Sequence, residues 1–214
     1  MFTGKGLAVA VMAAAVATPA AAVGIVIDSY SVSSNTANFL GDGLVINTSN
    51  EMVQPFDVGN LEEGESVSFD LFSIYTNESN VGLDDLIPGD IEFMLELSAP
   101  NPNSGMAGLN GMTFGLAGLF TGSGVLTWEN SGIFQIFYGV NNDGIITVDL
   151  NDATFNECSG FSCGIGGLNA GAAFGDIVDI TFTLTQAASV PAPAALGLLG
   201  FGLFGIAAAR RRRA

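Results

Sequence analysis

The stretch Ile91-Glu92-Phe93-Met94-Leu95-Glu96-Leu97 places apolar side chains at positions 91, 93, 95 and 97 and glutamates at 92 and 96. Side chains along a strand point alternately to opposite faces, so this pattern predicts a strand with one face in a core and the other in water. Residues 176–185, "DIVDITFTLT", repeat it: Val178, Ile180, Phe182 and Leu184 fall on one face, with Asp179, Thr181 and Thr183 opposite. Shorter runs of the same kind are "GIVID" (24–28), "GLVIN" (43–47), "VSFDLFSIY" (67–75), "MTFGLAGLF" (112–120), "GVLTW" (124–128), "IFQIFYG" (133–139) and "IITVDL" (145–150). That makes about nine short strands, separated by turn-forming clusters such as "LIPGD", "PNPNSG" and "NNDG", with no long amphipathic helix. The expected fold is all-β, an antiparallel β-sandwich in which a jelly roll is one arrangement. It should occupy residues 23–187 of the 214-residue chain.

Charge is distributed unevenly around this body. The basic residues are Lys5 and Arg210 to Arg213, so residues 23–190 hold all 21 acids and no base, and histidine is absent from the sequence. Ion pairs within the body are therefore excluded, and its negative field repels nucleic acid and anionic lipid while attracting cations. Without histidine, and without lysine or arginine in the body, Ser-His-Asp, Cys-His and lysine-nucleophile chemistry have no reagents there.

Both ends read as targeting segments. Lys5, the apolar run Leu7 to Ala17 and the small residues Ala20 to Ala22 form a secretory signal peptide over residues 1–22. Residues 188–214 contain Val190-Pro191-Ala192-Pro193, then sixteen apolar or glycine residues over 194–209, then Arg210, Arg211, Arg212 and Arg213. A helix over 194–209 would reach roughly 24 Å, short of a hydrocarbon core of about 30 Å unless the arginine stems snorkel. The arginines orient it with the acidic body outside. The prolines keep the chain extended ahead of that helix, the form a protease cleft accepts.

This tail resembles the PEP-CTERM sorting signal of Gram-negative bacteria: a V-P-x-P motif, a Gly/Ala/Leu-rich membrane helix and a terminal arginine cluster. The residue between the prolines is Ala192 where glutamate is usual, which places it nearer the VPxPA variants. The resemblance implies processing by an exosortase, a membrane cysteine protease or transpeptidase acting near the proline motif, so that this chain is a substrate and not an enzyme. It also implies export by the secretion machinery, cleavage by signal peptidase and transient residence in the inner membrane. Delivery to the cell surface or extracellular matrix would follow, with a structural or adhesive role beside exopolysaccharide in a biofilm. The phrases "GESVSFDLFSIYTNES", "DDLIPGDIEF" and "VDLNDATF" are similar, loosely, to the β-rich ectodomains that carry such tails.

Candidate sites in the body are few. Cys158 and Cys163, in "NECSGFSCG", are expected to form a disulfide closing a small loop in an exported protein. No cofactor is expected, and calcium is the candidate ion. Asp84, Asp85 and Asp90, with Glu62, Glu63 and Glu65 nearby in sequence, supply loop carboxylates of the kind calcium takes. "YGVNNDGIITVDLND" resembles part of a calcium loop, but Gly139 and Leu150 stand where two oxygen ligands belong, so Asn142-Asp143-Gly144 reads as a hairpin turn. Trp128, with Tyr75 and Tyr138, is a candidate sugar-stacking platform, against which a lone Trp at a strand end more often packs in the core. The alternatives to a structural role are thus a carbohydrate- or calcium-binding module and, behind it, a glycosidase using two of the 21 acids.

Overall fold

The structure is a computed structural model that describes residues 22–37, 40–100 and 106–189. Eleven strands are present: β1 (Val23–Asn35), β2 (Ile46–Asn50), β3 (Phe56–Leu61), β4 (Ser66–Thr76), β5 (Gly89–Ala99), β6 (Met106–Gly118), β7 (Thr121–Trp128), β8 (Ile133–Tyr138), β9 (Gly144–Leu150), β10 (Ala153–Ser159) and β11 (Asp176–Gln186). They form a six-stranded sheet ordered β10-β7-β6-β5-β1-β3 and a five-stranded sheet ordered β2-β4-β11-β9-β8, with every named pairing antiparallel. Apart from the β5-β6-β7 meander and the β8-β9 hairpin, each connection carries the chain from one sheet to the other. The two sheets are therefore stitched together from end to end.

The alternation in the sequence is the packing rule. Ile91, Phe93, Leu95 and Leu97 of β5 and Val178, Ile180, Phe182 and Leu184 of β11 are all buried, while Glu92 and Glu96 stay exposed. β5 lies inside the six-stranded sheet and β11 at the centre of the five-stranded one, and their apolar faces belong to one continuous core. Phe93 shows the meeting of the sheets. Its ring lies 6.3 Å from Trp128 in its own sheet and 6.3 Å from Phe134 of β8 in the other. Tyr30 of β1 spans the same gap, donating its hydroxyl to the carbonyl of Leu71 on β4 at 2.6 Å. A buried phenol without such an acceptor would lose about 1–3 kcal/mol.

Two strands fall outside the nine expected. β3, "FDVGNL", and β10, "ATFNECS", carry Asp, Asn and Gly at positions that read as turn. β10 is also irregular: its register against β7 shifts between Phe155 and Cys158, and Asn156 adopts φ 54°. A bulge of this kind hides the period-two signal, because side chains beyond it change face. β1 has a similar shift after Ile27, so that Ile25 and Ile27 point inward before it and Tyr30 after it. The expected strand "GLVIN" (43–47) is displaced to a β2 of equal length, Ile46–Asn50. The eleven strands among the described residues also exceed the eight of a simple jelly roll.

Candidate functional site

The end of the body meets the start of the tail at one corner of the five-stranded sheet. β8 and β9 are joined by the turn 139–143, closed by the amide of Asn142 donating to the carbonyl of Gly139 at 3.1 Å. This is the hairpin read from "NNDG". Gly139 sits at φ 88° and Asn142 at φ 55°, the left-handed region that glycine and asparagine tolerate. β11 ends at Gln186 two strands away from β8, and residues 187–189 then lie against this turn.

Three side chains hold them there. The Ala187 amide donates to Glu63 Oε2 at 3.3 Å, and the Ala188 amide to the Tyr138 hydroxyl at 3.3 Å. Tyr138 in turn donates to the Gln186 carbonyl at 3.3 Å. Ser189 donates twice to Asp143 Oδ2, from its amide at 3.1 Å and from its hydroxyl. These donors hold the Asp143 carboxyl below the usual carboxylate range. Gly139 leaves room for the segment: a Cβ there would lie 2.7 Å from that of Ala188. Ala188 and Ser189, assigned by sequence to the sorting segment, are thus bonded to the body.

The processing motif Val190, Pro191, Ala192 and Pro193, the membrane stretch 194–209, the arginines Arg210 to Arg213 and nearly all of the signal peptide lie outside the described residues. Among the described residues no helix is long and apolar enough to cross a membrane.

The three aspartates proposed for calcium do not come together. Asp84 and Asp85 share a pocket of about 500 Å³ with Asp42, Glu78 and the glycines Gly41 and Gly82, whereas Asp90 lines a separate cleft. The reason is the strand: Asp90 belongs to β5, and its side chain faces the outer surface of the six-stranded sheet beside Glu92. Asp85 is 3% exposed and accepts the Gly82 amide at 2.5 Å, closing the loop on itself. Asp84 is cradled by glycines, since a Cβ on Gly41 or Gly82 would come within 2.3 or 2.6 Å of its oxygens. Glu78 accepts the Val45 amide at 3.0 Å. Burial, followed by the neighbouring Asp85 and Asp84 charges, pushes the Glu78 carboxyl above its ordinary pKa. Among the described residues no group of three or more acids or cysteines has the arrangement to hold a metal ion.

Trp128 is not a stacking platform. It is 5% exposed, its ring packs over Gly111 inside the core, and its indole N–H donates to the Asn151 carbonyl at 3.0 Å. Tyr138 is 3% exposed and Tyr75 is half-buried, so the three do not form an open aromatic surface. Trp128 ends β7 on its inward face, where a large ring contributes most to packing, as expected of a lone Trp at a strand end. The nearby cleft, about 470 Å³, is lined instead by polar and acidic residues such as Asn35, Asp90, Glu92 and Glu129 together with the apolar Ile91 and Met112, without an aromatic ring.

Cys158 and Cys163 are joined by a disulfide across five residues, with a Cα–Cα distance of 5.9 Å. It closes the loop after β10, and Phe161 within that loop lies 4.7 Å from Phe120, centroid to centroid.

Sequence reasoning missed Glu63, Tyr138 and Asp143 as partners of the tail, and Asp42 and Glu78 as neighbours of Asp84 and Asp85. Glu63, Tyr138, Asp143 and Asp42 are far along the chain from the residues they meet, and the strand order brings them together, whereas Glu78 shares the β4–β5 connection with Asp84 and Asp85.

No curated protein and no solved structure matches the chain. Residues 189–213 match the family model of the PEP-CTERM protein-sorting motif. That span covers the proline motif, the apolar stretch and all four arginines, and it begins at the serine docked on Asp143. The chain carries a PEP-CTERM protein-sorting motif, joined without a spacer to an all-β body, and that motif supports export and sorting by way of an exosortase.

Proposed function

We propose that the body is a β-sandwich which reaches the cell surface or extracellular matrix after exosortase processing and works there as a structural or adhesive component of an exopolysaccharide-rich biofilm, without turnover of its own. The observation carrying this reading is the direct junction between a sorting motif at 189–213 and a folded, disulfide-containing body. In this reading the signal peptide and the tail are transport segments, and the inner membrane is a stage before release.

The outer face of the five-stranded sheet supports contact with polysaccharide. Hydroxyls pair across its strands at Ser66–Thr183 (2.8 Å), Ser68–Thr181 (2.7 Å), Thr147–Thr185 (2.6 Å) and Ser49–Ser73 (2.5 Å). Such a surface exchanges hydrogen bonds with a polyol at small cost and carries no base to bind acidic groups. Retention of the purified body on insoluble polysaccharides tests the proposal. The double variant Thr181→Val, Thr183→Val should weaken retention several-fold at unchanged melting temperature; absence of retention on a broad panel would refute the adhesive role.

A second reading is calcium uptake by the pocket that Asp42, Glu78, Asp84 and Asp85 line, which would need these carboxylates to converge on the ion, since they are not already arranged to hold one. Burial first, and then the Asp85 and Asp84 charges, raises the Glu78 pKa, and a bound cation would relieve the second of these. Calcium at millimolar concentration should then raise the melting temperature, and Asp84→Asn should abolish the increase. Identical melting with calcium and with chelator would remove this reading.

A further inference from the structure

We propose that Asp143, Tyr138 and Glu63 form a latch that withholds the residues preceding the processing motif, so that exosortase acts on the chain only when residues 187–189 have left the body; this rests on the exosortase reading. Proteolytic and transpeptidase clefts take their substrates extended and grip residues on both sides of the scissile bond. Here the residues on the amino side are bonded to the body up to Ser189, the residue immediately before Val190. No free spacer separates the folded part from the motif.

The latch is built at the turn end of one hairpin. Asp143 holds Ser189 from the turn, Tyr138 holds Gln186 and Ala188 from the end of β8, and Gly139 between them gives Ala188 its space. Glu63, from the connection between β3 and β4, takes the Ala187 amide from the other side. When cleavage is slower than opening and closing, its rate follows the population of the open form. Each hydrogen bond removed therefore shifts the rate through that population. Asp143 and Tyr138 thereby act as positioning residues for processing, through the chain segment they hold.

The test is a pulse–chase of the full chain in cells that contain a cognate exosortase, following conversion to the processed form. Asp143→Ala, which removes both Ser189 bonds, should speed conversion about fivefold, and Tyr138→Phe should act in the same direction without altering core packing. A four-residue Gly-Ser insertion between Ser189 and Val190 should also speed conversion and make Asp143→Ala silent, an epistasis that mere loosening of the body would not give. Hydrogen exchange should show the Ala188 and Ser189 amides protected in the purified full chain and unprotected in Asp143→Ala. Equal or slower conversion in both substituted chains, with the wild type processed normally, would overturn the latch alone. A wild-type chain left unprocessed would overturn the exosortase reading and the latch's role with it.

Discussion

Asn156 is the residue whose replacement should cost the body most for its size. It is fully buried and lies at φ 54° in the irregular part of β10. Its Oδ1 accepts the Thr76 amide at 2.7 Å, and its Nδ2 donates to the carbonyls of Thr76 at 3.2 Å, Gly171 at 3.1 Å and Asn169. One side chain thus ties β10 to the end of β4 and to the loop leading into β11, bridging the two sheets. Alanine leaves the Thr76 amide without its acceptor, at about 1–3 kcal/mol, and places a Cβ-bearing residue without a local hydrogen bond in the left-handed region, at about 1 kcal/mol more. A total of about 3 kcal/mol corresponds to a melting temperature lower by roughly 6–12 °C for a body of this size. Asn156→Gly relieves the backbone term and should lose less. Asn156→Asp should lose most, because it keeps the acceptor but turns a carboxylate oxygen toward three carbonyls. Thermal unfolding of the purified body, followed by far-UV circular dichroism, gives the order glycine, alanine, aspartate from least to most damaging. An aspartate variant as stable as wild type would refute the assignment of Nδ2 as the donor that joins the sheets.

Two further perturbations test the chemistry of the body. Asp179 of β11 lies opposite Asp70 of β4, and burial first, then the Asp70 charge, raises its carboxyl pKa above its ordinary value. An acid whose pKa is raised by folding contributes stability that is complete below the unfolded pKa and lost as pH rises through the folded one. Asp179→Asn should therefore raise the melting temperature at pH 7 by roughly 1–2 °C, equivalent to about 0.5 kcal/mol for a solvent-screened like-charge pair, and change it little at pH 3; a lower melting temperature at pH 7 would contradict that sign. The Cys158–Cys163 disulfide closes a short loop, so Cys158→Ser with Cys163→Ser should cost about 2 kcal/mol, or roughly 4–8 °C, in calorimetry of the body. Reductant should lower the wild type by a similar amount and leave the double variant unmoved.

The strands were legible where each residue kept to one face. In β5 and β11 the alternation was unbroken, and the inward set read from the sequence is the buried set. β10 was illegible because Asn156 breaks its period, and β3 because its six residues include aspartate, glycine and asparagine. The sorting tail was legible because a proline motif, an apolar run and an arginine cluster are contiguous and need no fold to be recognised. Sites built across sheets were not. Asp84 and Asp85 are neighbours in sequence and in space and Glu78 shares their β4–β5 connection, but Asp42 comes from the β1–β2 connection, and Asp90, five residues beyond Asp85, faces another surface. Trp128 had the composition of a ligand platform, and only its place on the inner face of β7 shows that its ring is spent on packing.

The central claim is that this body is delivered by removal of its tail, and the intact mass of the protein recovered from the cell surface or medium tests it most directly. With an exosortase present, the mass should correspond to a chain that begins near Val23 and ends near the Val190–Pro193 motif, with any attached group as an added increment. Replacing Pro191 and Pro193 by alanine should return the mass to that of a chain retaining Arg210 to Arg213 in the inner membrane. A surface-delivered wild-type protein that still carries the arginine cluster would contradict it.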